Sequence, residues 1–483
     1  MSSTVRVRFA PAPTGLLHIG NARTALFNYI FAKREKGRFI LRIEDTDRER
    51  SSETFVQAIL EDLRWLGIEW DEGPDGKGEF GPYRQSQRIS FYRQFGEQLL
   101  REGKAYKCFC SRERLETLRK EQLSKGLMPR YDGKCRLLTK KELSEKESEG
   151  SPFVLRFPVG KGTVAFEDLI HGKMSFESSG IGDFIIIRSE GVADYNFACV
   201  IDDHLMEITH VIRGDDHLSN TPRQILLYQA FGWSPPLFAH HPLILGPDRT
   251  PLSKRHGATS VSQYREEGYL PEALLNYLFL LGWTPSSKEE IFSQEKLREE
   301  FSLSSLSRNA PIHSPKKLDW LNSHYIRKTE ASRLLTLLTP YFGKAGIRVE
   351  EFGPKYLLEV ASLLKENLVV LSQVEEYLGV FFDEKFKVEE DAKKVLQDPE
   401  NRKTLQEVFA LLKESIEKGE ENWTSLLSKL EERTGRRGKS LYAALRAGIT
   451  GKMKGPELVK ILPLLGKKRV IKRLKMALEE KDS

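Results

Sequence analysis

Apolar positions change period several times along this 483-residue chain, and each change marks an element. Val5, Val7 and Phe9 alternate with Arg6 and Arg8, the period of two expected of a strand. Pro11 and Pro13 then stop it, since each lacks a backbone N–H and constrains the residue before it. From Asn21 onward Ala22, Ala25, Leu26 and Tyr29 recur at helical spacing, with Thr14 or Asn21 as candidate caps, so the helix is entered from a tight turn at His18-Ile19-Gly20. A continuous apolar run, FILRI from Phe39 to Ile43, follows Gly37. Strand, loop, helix, strand is the order of a parallel βαβ unit. Ligands of such sheets sit beyond the carboxyl ends of the strands, where a helix N-terminus offers free N–H groups to phosphate. His18 and Gly20 belong there.

Further along, an apolar strand around His210 to Ile212 ends in Arg213, and another, Pro242 to Leu245, runs into a Gly-Pro turn and then Ser253-Lys254-Arg255. Residues 1–105 and 183–247 thus each hold apolar strands and helices of α/β type. Residues 106–182, polar and with a charged helix around Arg112 to Lys125, read as an insertion. After about residue 330 the pattern is nearly all helical, as in LLEVASLLKENLVVLSQVEEYL. There is no internal repeat.

Length gives a prior of two to four domains with ample buried core. With no run of about 18 apolar residues and no signal-peptide pattern, the expectation is a soluble cytoplasmic protein without a membrane partner. The net charge of +7 is uneven: from Arg433 to Ser483 fifteen Lys and Arg face four Asp and Glu, an excess of +11 that leaves −4 for the rest. In GRRGK and GKKRVIKRLK basic clusters alternate with apolar helical positions, which points to a folded polyanion-binding face. Four cysteines exclude a disulfide scaffold; Cys108, Cys110 and Cys135 cluster and raise a metal question instead. A loop lysine such as Lys254 suits nucleotidyl transfer, because negative charge spreads over the phosphates as pyrophosphate leaves.

His18-Ile-Gly-Asn21 and Leu252-Ser-Lys-Arg255 resemble the HIGH and KMSKS signatures of class I aminoacyl-tRNA synthetases. The stretches RFAPAPTGLLHIGNARTALFNYIFA, RIEDTDRERS, GPYRQSQR, AYKCFCSRERL, RYDGKCR, VIRGDDHLSNTPRQILLYQAFGW and GYLPEALLNYLFLLGW are similar, in order, to the bacterial-type glutamyl-tRNA synthetases. The resemblance is strong from Val5 to about Ile326 and continues more weakly through TGRRGKSLYAALRAGITGKMKGPEL. It implies a Rossmann-type, parallel-sheet catalytic domain at 1–105 and 183–247 split by a connective, acceptor-binding insertion at 106–182, a stem-contact region with the KMSKS-like loop at 248–330, and an α-helical anticodon-binding region at 331–483. It also implies ATP with Mg2+, L-glutamate and tRNA-Glu as partners, and a monomer.

The resemblance places Arg8, Ala10, Ala12, Glu44, Tyr195, Cys199 and Arg213 around glutamate, with Arg8 on its side chain and Glu44 on its ammonium group. It places His18, Gly20, Asn21, Asp216, Ile244, Ser253, Lys254 and Arg255 around ATP, with Asp216 at the ribose, the Ile244 backbone at adenine, and His18 and Lys254 catalytic. Each has a purely structural alternative: Arg8 and Glu44 as an internal ion pair, Tyr195 as core, Asp216 as a cap for the helix beginning near Thr221. The loop departs from the signature in lacking its first lysine, where Pro251 leads into Leu252-Ser253, and Cys199 stands where relatives often carry asparagine or an aliphatic residue. In zinc-containing relatives a histidine follows the last cysteine by two residues; here that position is Leu137, and Tyr131 is the alternative fourth ligand to Cys108, Cys110 and Cys135. Relatives that charge only tRNA-Glu use an arginine against the glutamine anticodon. The alignment of Leu363 to Leu371 puts Asn367 there, so tRNA-Gln is a further candidate substrate; an alignment slipped by one turn puts Lys365 in the role. The competing readings are a small-molecule nucleotidyltransferase of the same superfamily, which leaves the basic tail unexplained, and a non-catalytic tRNA-binding paralogue, which has no use for His18 and Lys254.

Overall fold

A computed structural model describes residues 4–47, 49–76, 78–285, 289–420 and 422–479. The chain divides into two compact units, one running to Tyr264 and including Leu274–Ser314, the other comprising Arg265–Ala273 and the chain from Pro315.

The strands of the first unit are β1 (Arg6–Phe9), β2 (Arg38–Leu41), β3 (Tyr106–Cys108), β4 (Val154–Phe157), β5 (Thr163–Asp168), β6 (Gly172–Glu177), β7 (Phe184–Ile187), β8 (His210–Gly214) and β9 (Leu237–His241). Six form a sheet of order β2-β1-β8-β9-β5-β6, and β3, β4 and β7 form a second, three-stranded sheet. In the larger sheet all neighbours are parallel except β6, which returns antiparallel along β5. From β1 the chain passes to β2 on one side and much later to β8 on the other. That reversal opens a crevice at the carboxyl ends of β1 and β8.

Helix α1 (Ile19–Arg34) crosses over between β1 and β2. Neither Thr14 nor Asn21 caps it: His18, in extended backbone immediately before the first turn, accepts the Gly20 N–H on Nδ1 at 3.1 Å, and Asn21 is already inside the helix. The alternation in β1 does not produce a wet face, because all four residues are buried. A parallel strand is covered on both sides, so its arginines need buried partners: Arg6 forks onto Glu72 at 2.7 and 3.0 Å and lies over the Phe80 ring. The strand expected at Pro242 to Leu245 lies earlier. β9 ends at His241 because Pro242 has no N–H for the ladder, and Leu245 then makes single bridges to Pro251 and Ile312.

Every described element of the second unit is helical, around one continuous apolar core that includes Leu338, Val360, Phe381, Leu405, Leu445 and Leu474. The stretch from Leu357 to Leu378, expected to be nearly all helical, is helical in separate pieces: one α-helix ends at Leu364 and, after a 3-10 turn at Leu371–Gln373, the next begins at Val374. Between them the Gln373 side chain accepts the N–H groups of Val369 and Val370, giving two β-branched residues an alternative to the helical ladder. Part of the basic tail holds this bundle together, since Asp383 gathers Arg469, Lys472 and Arg473. No helix among the described residues is long and apolar enough to cross a membrane.

Candidate active site

A cavity of about 440 Å³ occupies the crevice. Of the residues singled out in the sequence, Arg8, Ala10, Ala12, His18, Gly20, Asn21, Glu44, Tyr195, Arg213, Asp216 and Ile244 line it. Cys199, Ser253 and Arg255 are not among its lining residues, and the Lys254 side chain lies outside the described residues. The proline-broken loop is fastened beside the end of β2: the Glu44 N–H donates to the Pro11 carbonyl at 3.0 Å and the Ser52 N–H to that of Pro13 at 3.2 Å.

Buried charge forms the floor. Arg8 and Glu44 do not pair with each other. Arg8 Nε donates to Asp203 Oδ1 at 3.1 Å, while Glu44 Oε1 accepts from Arg42 Nη2 at 3.2 Å, and Arg42 Nη1 donates to the same Asp203 oxygen at 2.7 Å. Burial works against the Asp203 carboxylate, but Arg8 and Arg42 prevail and hold it below its usual range. For Glu44 burial prevails over the same two arginines and raises it. Cys199 sits behind this floor. Burial pushes its thiol up to about 12, so it remains an S–H donor, 3.4 Å from Asp203 Oδ2. The sequence reading missed Arg42 and Asp203. Their signal was there, an arginine interrupting the apolar run FILRI and an acidic pair inside an apolar helix.

Arg213 differs from the other two arginines. It is buried, yet its donors go to neutral acceptors: Nε to His240, Nη2 to Thr221 and Gln224 at 2.8 Å each, and Nη1 to the Tyr195 hydroxyl at 3.4 Å. Among the described residues no carboxylate lies within ion-pair distance of it, which leaves an uncompensated positive charge facing the cavity. His240 is no source of negative charge, being a ring fixed by Asp168 at 2.6 Å. Tyr195 is therefore a wall residue, bonded to His217 at 3.0 Å, and not core packing. His217, unnoticed in the sequence, is lowered to about 4 by burial and by Arg213, which keeps it neutral.

The other end of the cavity suits phosphate. His18 accepts at Nδ1, so its neutral ring carries the proton on Nε2, and burial lowers its pKa and favours that neutral form. Arg23, one helical turn on, is a second buried cation without a carboxylate partner among the described residues; it donates to Leu281 and Pro242 carbonyls and to His241, and burial lowers it to about 9. Asp216 does not cap the helix beginning at Thr221, whose N-cap is Asn220. Its carboxylate lies against Gly214, where an added Cβ would come within 2.4 Å of Oδ1. Ile244 gives its carbonyl to the Leu252 N–H at 3.0 Å. Beyond it the loop folds on itself: Arg255 is held by Asp248 at 3.0 Å and Thr250 at 2.6 Å, and His256 reaches the Ser253 N–H at 3.1 Å.

The three clustered cysteines converge. The Sγ atoms of Cys108, Cys110 and Cys135 lie within 4.8 Å of one another. The Tyr131 hydroxyl is 3.5 Å from Cys108 and from Cys110, and accepts the Cys135 N–H at 2.8 Å. Leu137 is 82% exposed and has no part in the cluster. Soft thiolates in a tight group with a fourth oxygen donor suit tetrahedral zinc.

Comparison with known proteins agrees with this geometry. Residues 4–320 match the model of the class I (E and Q) tRNA synthetase catalytic domain, and residues 333–478 match that of an anticodon binding domain. The chain is 50% identical to a glutamate--tRNA ligase of Carboxydothermus hydrogenoformans over 474 residues, covering 97% of this chain and 99% of that one. It is 47% identical to glutamate--tRNA ligase 2 of Syntrophus aciditrophicus, covering 99% and 98%. The crystal structure of a glutamate tRNA ligase from Elizabethkingia meningosepticum in complex with its amino acid superposes with a TM-score of 0.89 at 33% identity, over 99% of this chain and all of that one. A parallel sheet whose switch point holds His18, Arg213 and Glu44, followed by a helical unit, is thus joined to full-length likeness: the chain belongs to the glutamate--tRNA ligase family of class I aminoacyl-tRNA synthetases.

Proposed function

We propose that this chain ligates L-glutamate to the 3′ end of tRNA-Glu through a glutamyl-adenylate. The observation that carries the reading is Arg213. At the cavity floor Arg8 and Arg42 are balanced by Asp203 and Glu44, whereas Arg213 has no carboxylate partner among the described residues. Glutamate brings a net charge of −1 and glutamine none, so only glutamate neutralises that site. Arg8 and Arg213 receive the side-chain carboxylate, with Tyr195 beside them, and Glu44 receives the ammonium group. Ala10 and Ala12 leave room for substrate against the loop, and Cys199 acts from behind the floor.

ATP enters with its magnesium at the other end. Asp216 takes the ribose, and the Ile244 backbone, whose N–H is not used by Leu252, takes adenine. An oxygen of glutamate's α-carboxylate attacks the α-phosphorus, the bond to the β-phosphate breaks, and pyrophosphate leaves. His18 Nε2–H, the Asn21 N–H, Arg23, and the loop residues Ser253, Lys254 and Arg255 meet the charge that develops, while Gly20 keeps its N–H on His18 Nδ1 and so aims the ring. Arg255 must first leave Asp248. The 2′-hydroxyl of the terminal adenosine then attacks the glutamyl carbonyl and AMP departs. The protein supplies position and charge, with little proton transfer of its own. Exchange of labelled pyrophosphate into ATP that requires glutamate supports this reading. Exchange driven by a non-amino-acid acid would favour a small-molecule nucleotidyltransferase, and no exchange with tRNA present would favour a non-catalytic paralogue.

The region 106–182 receives the acceptor end in this reading. A groove of about 430 Å³ includes Tyr131 and Asn196 and is lined by Arg119, Arg130, Arg156 and Arg223 against Asp183 and Asp194, an excess of positive charge that suits a phosphate backbone. The region 248–330 meets the stem, and the helical region 331–483, with its exposed lysines and arginines, reads the anticodon arm. One chain holds the whole cavity, so a monomer suffices, working in the cytoplasm where tRNA is.

Zinc, held by Cys108, Cys110, Cys135 and Tyr131, would crosslink the start of this insertion and supply no chemistry to the transfer. Elemental analysis of protein purified without chelators is expected to give about one zinc per chain; well under one would count against the site.

Asn367 lies half-buried in the turn just after the helix Pro354–Leu364, with its N–H on the Leu364 carbonyl at 2.9 Å. An amide there removes one cationic element of exclusion, and discrimination between anticodons weakens. Glutamylation of purified tRNA-Gln at a rate within about tenfold of tRNA-Glu is the expected outcome, leaving an amidotransferase to complete the product. Background-level charging of tRNA-Gln removes this reading and leaves the ligase itself intact.

A further inference from the structure

Tyr195, Cys199 and Asp203 recur every fourth residue on one helix, Tyr195–Leu205, and so share a face. That face meets the strand ends carrying Arg8, Arg42 and Glu44. Tyr195 reaches the cavity, and Cys199 and Asp203 lie behind it, both buried and neither lining it.

Asp203 is fully engaged from the protein side. Oδ1 accepts Arg8 Nε at 3.1 Å and Arg42 Nη1 at 2.7 Å, and Oδ2 faces the Cys199 thiol at 3.4 Å. Arg42 then passes the constraint on through Nη2 to Glu44 at 3.2 Å. Arg42 is wholly buried, and its Nε has no hydrogen-bond partner. The neighbouring Asp202 does not substitute for Asp203: it is taken by Arg88 at 2.5 Å and by Gln85 and Tyr92 at 2.9 Å, and lies 3.8 Å from Arg42. One carboxylate oxygen therefore joins two groups of opposite charge that face substrate, the Arg8 guanidinium and, through Arg42, the Glu44 carboxylate.

We propose that Asp203 is a positioning residue for the amino-acid substrate, fixing the spacing between the carboxylate-binding Arg8 and the ammonium-binding Glu44 without touching substrate itself. The inference rests on the glutamate-ligase reading above. With Asp203 present, Arg8 and Arg42 share its charge and Glu44 keeps one oxygen for the ammonium group. Without it the carboxylate nearest to Arg42 is Glu44, 3.2 Å away, and the pull of both arginines would draw it off its substrate position. A substrate with one ammonium and two carboxylates would then meet a floor of surplus positive charge and wrong spacing.

The test is steady-state tRNA charging by the full chain, with glutamate, ATP and tRNA varied in turn, for wild type, Asp203→Asn and Arg42→Lys. Asp203→Asn keeps the shape and removes the charge. Arg42→Lys keeps a charge but has no fork to span Asp203 and Glu44, and it decides the matter if Asp203→Asn does not fold. The KM for glutamate is expected to rise at least thirtyfold in either variant, with the KM for ATP and for tRNA within threefold of wild type. An unchanged glutamate KM in a folded variant, or parallel losses in all three, overturns the positioning role while wild-type charging keeps the ligase reading. A wild-type chain that charges no tRNA with glutamate instead removes the reading on which the inference rests.

Discussion

Replacing Arg213 by methionine is expected to lower glutamate-dependent pyrophosphate exchange by two to three orders of magnitude, mostly through the KM for glutamate. The variant removes the one floor cation that lacks a carboxylate partner among the described residues and leaves the acceptors of His240, Thr221 and Gln224 without their donor. Truncating one side of a buried, hydrogen-bonded charge pair costs roughly 3 to 5 kcal/mol, and a factor of ten corresponds to about 1.4 kcal/mol. Lysine at this position should restore little, because a point charge cannot serve three acceptors and a substrate carboxylate together. ATP affinity, measured separately, should hold, since His18 and Asp216 are untouched. A folded variant with a near-normal glutamate KM would show that the uncompensated charge serves the protein and not the substrate.

Lys254→Ala is expected to slow adenylate formation by at least a hundredfold while leaving tRNA affinity close to wild type. A single preorganised group stabilising developing charge is worth roughly 3 to 4 kcal/mol, and this loop has no other lysine, the signature's first being absent. Arg255 compensates only if it leaves Asp248 and Thr250, which hold it now. Single-turnover formation of glutamyl-adenylate in the presence of tRNA separates this from a binding defect. A near-wild-type rate would take Lys254 out of the mechanism.

The βαβ unit was legible because its signals are local: alternation, a proline stop, helical spacing, an apolar run. What remained hidden was set by contacts distant in sequence. Arg8 and Glu44 looked like partners for each other, yet Asp203 and Arg42 intervene, joined across more than 160 residues. No spacing rule finds such pairs, although charges in otherwise apolar elements mark where they must exist. The cap of α1 is not what the pattern suggests because histidine is not a common capping residue; the bond from the Gly20 N–H to Nδ1 that makes the cap also fixes the ring. The gap after Leu364 leaves no mark in the helical pattern of this stretch, because the apolar period continues through it; Gln373, bonding back to Val369 and Val370, holds the chain out of the helix there.

The most direct measurement is ATP-dependent transfer of labelled glutamate by the purified chain to a purified tRNA-Glu, with labelled glutamine in parallel. The expected result is an ester-linked plateau approaching one glutamate per tRNA, blocked by periodate oxidation of the terminal ribose, with glutamine at background. Label from glutamine, or none from glutamate with tRNA and ATP in excess, would contradict it.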